Sequence, residues 1–250
     1  MKENTSDPHD RSFELARLLG EIESTTADYQ NKMARFLFDI SCLEGIERLR
    51  VSRKAPLRLF SRFKKVLSLY DAAVKASLGR MRRRGFTVQC APGCTHCCRH
   101  MPAGVSAIEL LHLYQGLHRS GLVERAFRRC LEANEQWAKV HSGGERDEDL
   151  TRYYRLEQPC PFLYNNLCSV YEYRPFACRM HFSLSSPHWC RSAHFQNEYA
   201  VRFNMEPCDR VLGELDRLDG RFGLGLSDIL APGLLELTVN VMRFERIRRP

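Results

Sequence analysis

Residues 90–98 read C-A-P-G-C-T-H-C-C and set four thiols, Cys90, Cys94, Cys97 and Cys98, within nine residues. A second group, P-C-P-F-L-Y-N-N-L-C-S-V-Y-E-Y-R-P-F-A-C-R-M with one further cysteine, fills residues 159–190 and supplies Cys160, Cys168, Cys178 and Cys190. Eight of the eleven cysteines therefore fall in two clusters. The N-terminal M-K-E-N-T-S-D-P-H-D is polar and lacks the apolar run of a secretory signal, which predicts a reducing, cytoplasmic setting. Thiols at this density in such a setting point to a soft metal or an iron–sulfur cluster rather than to disulfides.

Spacing sharpens that reading. Thiolates on a turn converge when they lie two or three residues apart, as in C-x3-C-x2-C, and Pro92-Gly93 favours a tight path between them. Cys97 and Cys98 are adjacent, and neighbouring side chains rarely aim at one tetrahedral ion. They more naturally serve different metals, or one ligates while the other packs or reacts. Eight thiols suffice for two four-thiolate zinc sites, or for one [4Fe–4S] cluster and a second site. His96, His100 and His181 flank ligand cysteines and are alternative donors for a mixed site. Arg99, Arg174 and Arg179 also lie beside the thiols, where guanidinium groups offset thiolate charge and hydrogen-bond sulfur; the competing reading is ordinary surface arginines.

Outward from the clusters the pattern is helical. Leu15, Leu18, Leu19 and Ile22 keep an i, i+3, i+4, i+7 rhythm, and Met33, Phe36, Leu37 and Ile40 repeat it in a second segment within residues 11–49. After Pro56 a long helix is predicted over residues 57–84, with Leu59, Phe63, Val66, Leu67, Tyr70, Val74, Leu78 and Met81 on one face. Ser106-x-x-Glu109 has capping-box spacing before Leu110, Leu111, Leu113 and Leu117, and Gly121 is the expected stop. A helix over 122–140 carries Val123, Phe127, Cys130, Leu131 and Trp137 on one side, so Cys130, like Cys42, reads as a buried hydrophobe. His112 and His118 sit at non-ligand spacing and read as structural or surface residues. A short helix is expected over 148–155 and a last one over 234–247, with interruptions at Pro207, Gly220 to Gly225 and Pro232-Gly233. No sustained period-two pattern appears, and no run of about 18 apolar residues that would span a membrane. The expected fold is mainly α, a helical domain with an irregular cysteine-rich metal-binding core. Its expected divisions are a basic helical region at 1–85, the cysteine-cluster core at 86–195 and a helical region at 196–250 packed on that core.

Charge is uneven. The chain carries a net +8, and residues 50–84 hold twelve basic residues against one acid, Asp71. That stretch is a candidate docking face for an acidic protein or a nucleic acid, or simply a solvated helix face. It has no aromatic interleaving and no recognisable nucleic-acid motif.

Residues 86–195 resemble the zinc- or iron-chelating cysteine-cluster family (CxxCxxCC, YkgJ-type), a group related to the flagellin lysine-N-methylases. The resemblance rests on C-A-P-G-C-T-H-C-C-R, then C-P-F-L…C-S-V-Y-E-Y-R-P-F-A-C-R and a last cysteine, and the second stretch is the more specific half. One spacing departs from the pattern, C-x3-C in place of C-x2-C, which leaves the role of Cys90 open. The resemblance implies eight metal-associated cysteines, matching Cys90, Cys94, Cys97, Cys98, Cys160, Cys168, Cys178 and Cys190, with an iron–sulfur cluster or zinc as the centre and no assigned reaction. Two rival functions stand beside this metal-binding one. One is an S-adenosylmethionine-dependent protein lysine methyltransferase similar to the flagellin enzymes, for which no cofactor pocket is visible in the sequence. The other is a structural zinc module presenting a basic surface. The spacing Cys90-x3-Cys94-x2-Cys97 and Gly143-Gly144-Glu145 also resemble radical S-adenosylmethionine enzymes, but no strand precedes either, and the second cluster would go unexplained.

Overall fold

The computed structural model describes residues 8–194 and 196–248. The polar stretch at 1–7 lies outside the described residues. The chain is mainly helical, as its periodicities predict. No helix among the described residues is long and apolar enough to cross a membrane.

Helix α1 (Pro8–Ser41) is one continuous helix rather than two segments. Its mid-region Thr25 and Thr26 return their hydroxyls to the Ile22 carbonyl at 2.8 and 3.1 Å, so β-branched residues that weaken a helix bend it at most and do not break it. The two apolar stripes serve two different cores. Leu15, Leu18 and Ile22 join Met81, Phe86 and Phe203 in a small cluster. Met33, Leu37 and Ile40 enter the main one, which also takes residues from every later helix. Helix α3 (Leu59–Arg83) lies along α1 and buries Leu59, Phe63, Val66, Leu67, Tyr70 and Met81; a four-residue turn of helix, α2 (Leu49–Ser52), precedes it. The basic charge of this region is partly used within the chain: Arg80 and Arg84 face Glu21, and Arg62 donates to the Asp39 carbonyl at 2.8 Å.

Helix α4 (Ala107–Ser120) starts with the expected capping box and ends on Gly121 at φ 67°. The box also reaches across the chain. Glu109 Oε2 accepts from Ser106 N–H and Oγ–H at 2.8 and 2.7 Å, while its Oε1 accepts from Phe176 N–H at 2.7 Å. One buried carboxylate thereby fastens the second cysteine stretch to α4. Helix α5 (Val123–Val140) buries Ala126, Cys130, Ala133 and Trp137. Cys130 is core as expected, but Leu131 is turned outward. The loop from α5 to α6 (Arg146–Arg155) closes around buried Asp149, which accepts from Ser142 Oγ at 3.0 Å and Arg152 at 2.7 Å and lies 2.8 Å from His141 Nδ1.

Two small antiparallel hairpins interrupt the helices. β1 (Leu163–Tyr164) pairs with β2 (Leu167–Cys168), and β3 (His181–Ser183) with β4 (Arg202–Asn204). Strands of two and three residues are too short to leave a period-two signature. Helix α7 (Asp209–Phe222) packs on α1 and α4. The last helix opens earlier and closes earlier than its apolar pattern suggests. α8 (Leu230–Glu236) takes Pro232 in its first turn, where proline is tolerated, then runs through a π-helical stretch, Leu237–Met242. Positive φ at Arg243 and Phe244 ends it there, short of residue 247.

Candidate metal centre

The first cysteine cluster follows α3 as an irregular segment tied down at several points. Gln89 N–H donates to the Ser183 carbonyl of β3 at 2.8 Å, which places Cys90 beside that strand. Short turns close from Cys94 to Ala91 and from Cys98 to Thr95, each at 3.0 Å. Two links then join the two cysteine groups, and a third ties the last cysteine of the second group to α6. Cys160 N–H donates to the Cys98 carbonyl at 2.8 Å. Arg99 donates to the Glu157 carbonyl at 2.6 Å, with Ser192 on the Glu157 carboxylate at the same distance. Tyr154 donates its hydroxyl to the Cys190 carbonyl. Segments separated by the whole of α4, α5 and α6 thus meet.

Where they meet is a pocket of about 510 Å³, with Cys90, Cys94, Cys97 and Cys190 on its wall. His96, His100 and His181 line it too, and the β3–β4 hairpin forms one side. The hairpin keeps His181 in place, since its Nδ1 lies 2.8 Å from Asn204 Oδ1. His100 stacks on Tyr154 at 3.6 Å between ring centroids and faces His181 at 6.3 Å. Burial, then the charge of His181, lowers the His100 pKa to about 4, and burial with Arg191 and Arg99 nearby lowers that of His96. Among the described residues no carboxylate lines the pocket. A donor set of sulfur and neutral imidazole nitrogen matches zinc or iron and does not match calcium or magnesium.

Cys98, Cys160, Cys168 and Cys178 do not line this pocket. They form a neighbouring group. Burial pushes the Cys160 thiol up to about 12, with Cys168 and Cys97 adding to it, and Cys178 is raised well above the ordinary range by burial and by Cys160. Cys97 stands between the groups. Its thiol hydrogen-bonds that of Cys98, which raises it further than burial does, and it is felt by Cys90 and Cys94 on one side and by Cys160 and Cys178 on the other. All eleven cysteines are free thiols. Among the described residues no three His, Cys, Asp or Glu side chains close on one point tightly enough to grip an ion. The thiols surround a space instead.

The guanidinium groups reach the thiols through charge, Arg174 favouring the thiolates of Cys97, Cys168 and Cys178 and Arg179 that of Cys168, while their hydrogen bonds go to groups other than sulfur. Arg174 donates to the Cys178 carbonyl at 3.2 Å and lies over the Tyr171 ring. Arg179 is buried and holds both oxygens of Asp71 at 2.8 and 2.7 Å, plus the Arg174 and Glu172 carbonyls. The single acid in the basic run is thereby the anchor between α3 and the second cluster. Tyr154, Arg202 and Ser183 on the pocket wall had no signal in the sequence, because a short irregular hairpin brings two of them there. The partial barrel of a radical enzyme is absent among the described residues, where strands occur only as two small hairpins. No family model matches the chain, and no curated protein or solved structure matches it.

Proposed function

We propose that this is a cysteine-cluster metal protein whose centre, zinc or an iron–sulfur cluster, is held by thiolates at the pocket between the two clusters. One observation carries the reading: residues about a hundred positions apart in sequence, Cys90, Cys94, Cys97 and Cys190, are brought to the wall of one pocket with three imidazoles and no carboxylate. Cys160, Cys168 and Cys178, with Cys98, are the candidate ligands of a second centre, and the adjacent pair Cys97 and Cys98 would divide between the two. Raised thiol pKa values oppose the reading only while no cation is near, because a bound cation reverses the balance and deprotonates its ligands. Thiols spread around a space would draw in on binding, the usual coupling of thiolate sites to local folding. When bound, zinc would hold the segments together and a cluster would add electron transfer; the chain's own residues keep the site half-enclosed and place His100, His181 and Arg202 around the open volume.

The test is metal analysis of protein purified without oxygen. Stoichiometric iron with a visible band at about 400 nm supports a cluster, and stoichiometric zinc without colour supports the other form of the same reading. Cys97→Ser and Cys178→Ser should each lower bound metal. A folded, metal-free protein that takes up neither metal would overturn the proposal.

A further inference from the structure

A second cavity, of about 810 Å³, opens at the N-terminus of α3 and shares no lining residue with the thiol pocket. The first turn of α3 forms one wall. That turn has no side-chain cap and no acidic residue, although the helix behind it is 25 residues long. The Leu59 N–H is taken by the Pro56 carbonyl at 3.2 Å, while those of Phe60 and Ser61 have no intrahelical acceptor, and the positive end of the helix dipole points the same way. Helix α4 supplies the facing wall with His112, Gln115 and Arg119, one stripe at i, i+3 and i+7.

Arg58, Lys64 and Arg119 bring three positive charges to this cavity, and none has an ion pair among the described residues. Arg248 lines it as well but is paired with Glu245 at 2.6 Å, and Glu172 is the acid in the lining. The balance strongly favours an anion. His112 gives an independent indication. Only 4% of it is exposed, it lines the cavity, and its Nδ1 has no hydrogen-bond partner among the described residues. A buried polar nitrogen left unpaired is uncommon in a folded chain and calls for an explanation. Burial and the nearby cations keep the ring neutral, with a pKa of about 4, so the nitrogen can accept or donate according to tautomer. The ring also sits in an aromatic row, 6.2 Å from Phe60 and 4.9 Å from Tyr173 between centroids.

We infer that this cavity binds a mononucleotide, its phosphate at the N-terminus of α3 among Arg58, Lys64 and Arg119 and its base against the Phe60–His112–Tyr173 row. An inorganic anion would leave the aromatic row unused. A nucleic-acid strand would need a basic groove continuing past one nucleotide, whereas this cavity has the size of a small-ligand site. Nothing in the inference depends on the metal centre.

The experiment is calorimetric titration of the full chain with adenosine and guanosine 5′-monophosphates, inorganic phosphate, the free nucleosides and a short RNA. Saturable binding of at least one mononucleotide is expected, with phosphate alone and nucleoside alone at least about tenfold weaker. Lys64→Ala combined with Arg119→Ala should weaken the mononucleotide about tenfold or more while phosphate-independent nucleoside binding stays unchanged. Both side chains are exposed, so circular dichroism and metal content should match the parent protein and separate a lost site from a lost fold. Failure of both mononucleotides to bind, equal affinity for inorganic phosphate, undiminished binding by the double variant, or binding of RNA alone would each overturn the inference.

Discussion

At the N-terminus of α4 two carboxyl groups share the backbone donors of one turn. Glu109 caps its own helix and reaches Phe176, while Asp219 of α7 accepts from Ala107 N–H at 2.8 Å. Burial raises the pKa of Asp219 from 3.8 to about 7, and Glu109 nearby adds to the rise. Ionisation is therefore disfavoured in the folded chain. Between 3.8 and about 7 the unfolded chain releases the proton first, so this group's contribution to stability is whole below the window and is lost as pH rises through it. Asp219→Asn keeps the acceptor oxygen and removes the titration. The denaturation midpoint of the parent protein, measured relative to that variant from pH 4.5 to 7.5, should fall steadily; a constant difference would mean that Asp219 titrates normally. The Ser106–Glu109 half of this arrangement is readable from a four-residue spacing. Asp219 is not, because its partner lies 112 residues away and nothing local marks an aspartate as buried.

Helices were legible where one stripe meets one core. α3, α4, α5 and α6 lie within a few residues of where their patterns and caps set them, because capping residues and Gly121 act locally. The misjudged elements depend on distant contacts. α1 seemed to be two segments because its stripes feed two clusters. α8 seemed to run on to residue 247 because its apolar pattern continues that far, although positive φ at Arg243 and Phe244 stops it first. Leu131 faces out because α5 packs through the small residues Ala126, Cys130 and Ala133. Close approach also governs the joint between α4 and the Tyr171–Tyr173 turn. A Cβ on Gly116 would come within 2.4 Å of the Tyr173 ring at its Cγ, close to the side chain's root. Alanine gains about 1 kcal/mol of helix propensity over glycine, but the clash costs typically about 1–3 kcal/mol. Gly116→Ala should lower the denaturation midpoint. In a Tyr173→Ala background the same substitution should raise it, and the sign change is the diagnostic.

Across the whole molecule, the helices and the thiols are held by different forces. The main core is built from α1 through α8 and includes Cys130, but none of the eight clustered cysteines is among its fully buried members; Cys160 and Cys168 only pack against its edge. The smaller cluster under the β3–β4 hairpin supplies the apolar support of the pocket wall through Phe203 and, partly buried, Phe182. This explains why a sequence reading centred on cysteine spacing names the clustered thiols without finding the pocket: the spacing specifies sulfur, whereas the hairpin and the links between the two groups specify convergence. It also sets the response expected when the proposed centre loses its metal. Domains too small for a core unfold when their zinc is removed, but here the helical core is complete without the thiols. Chelation under reducing conditions should therefore speed amide hydrogen exchange in residues 88–101 and 178–204, while α1, α3 and α7 keep their protection. Loss of protection throughout would mean that the centre holds the fold itself together. Unchanged exchange in both pocket segments, with bound metal shown beforehand, would place the metal away from these thiols.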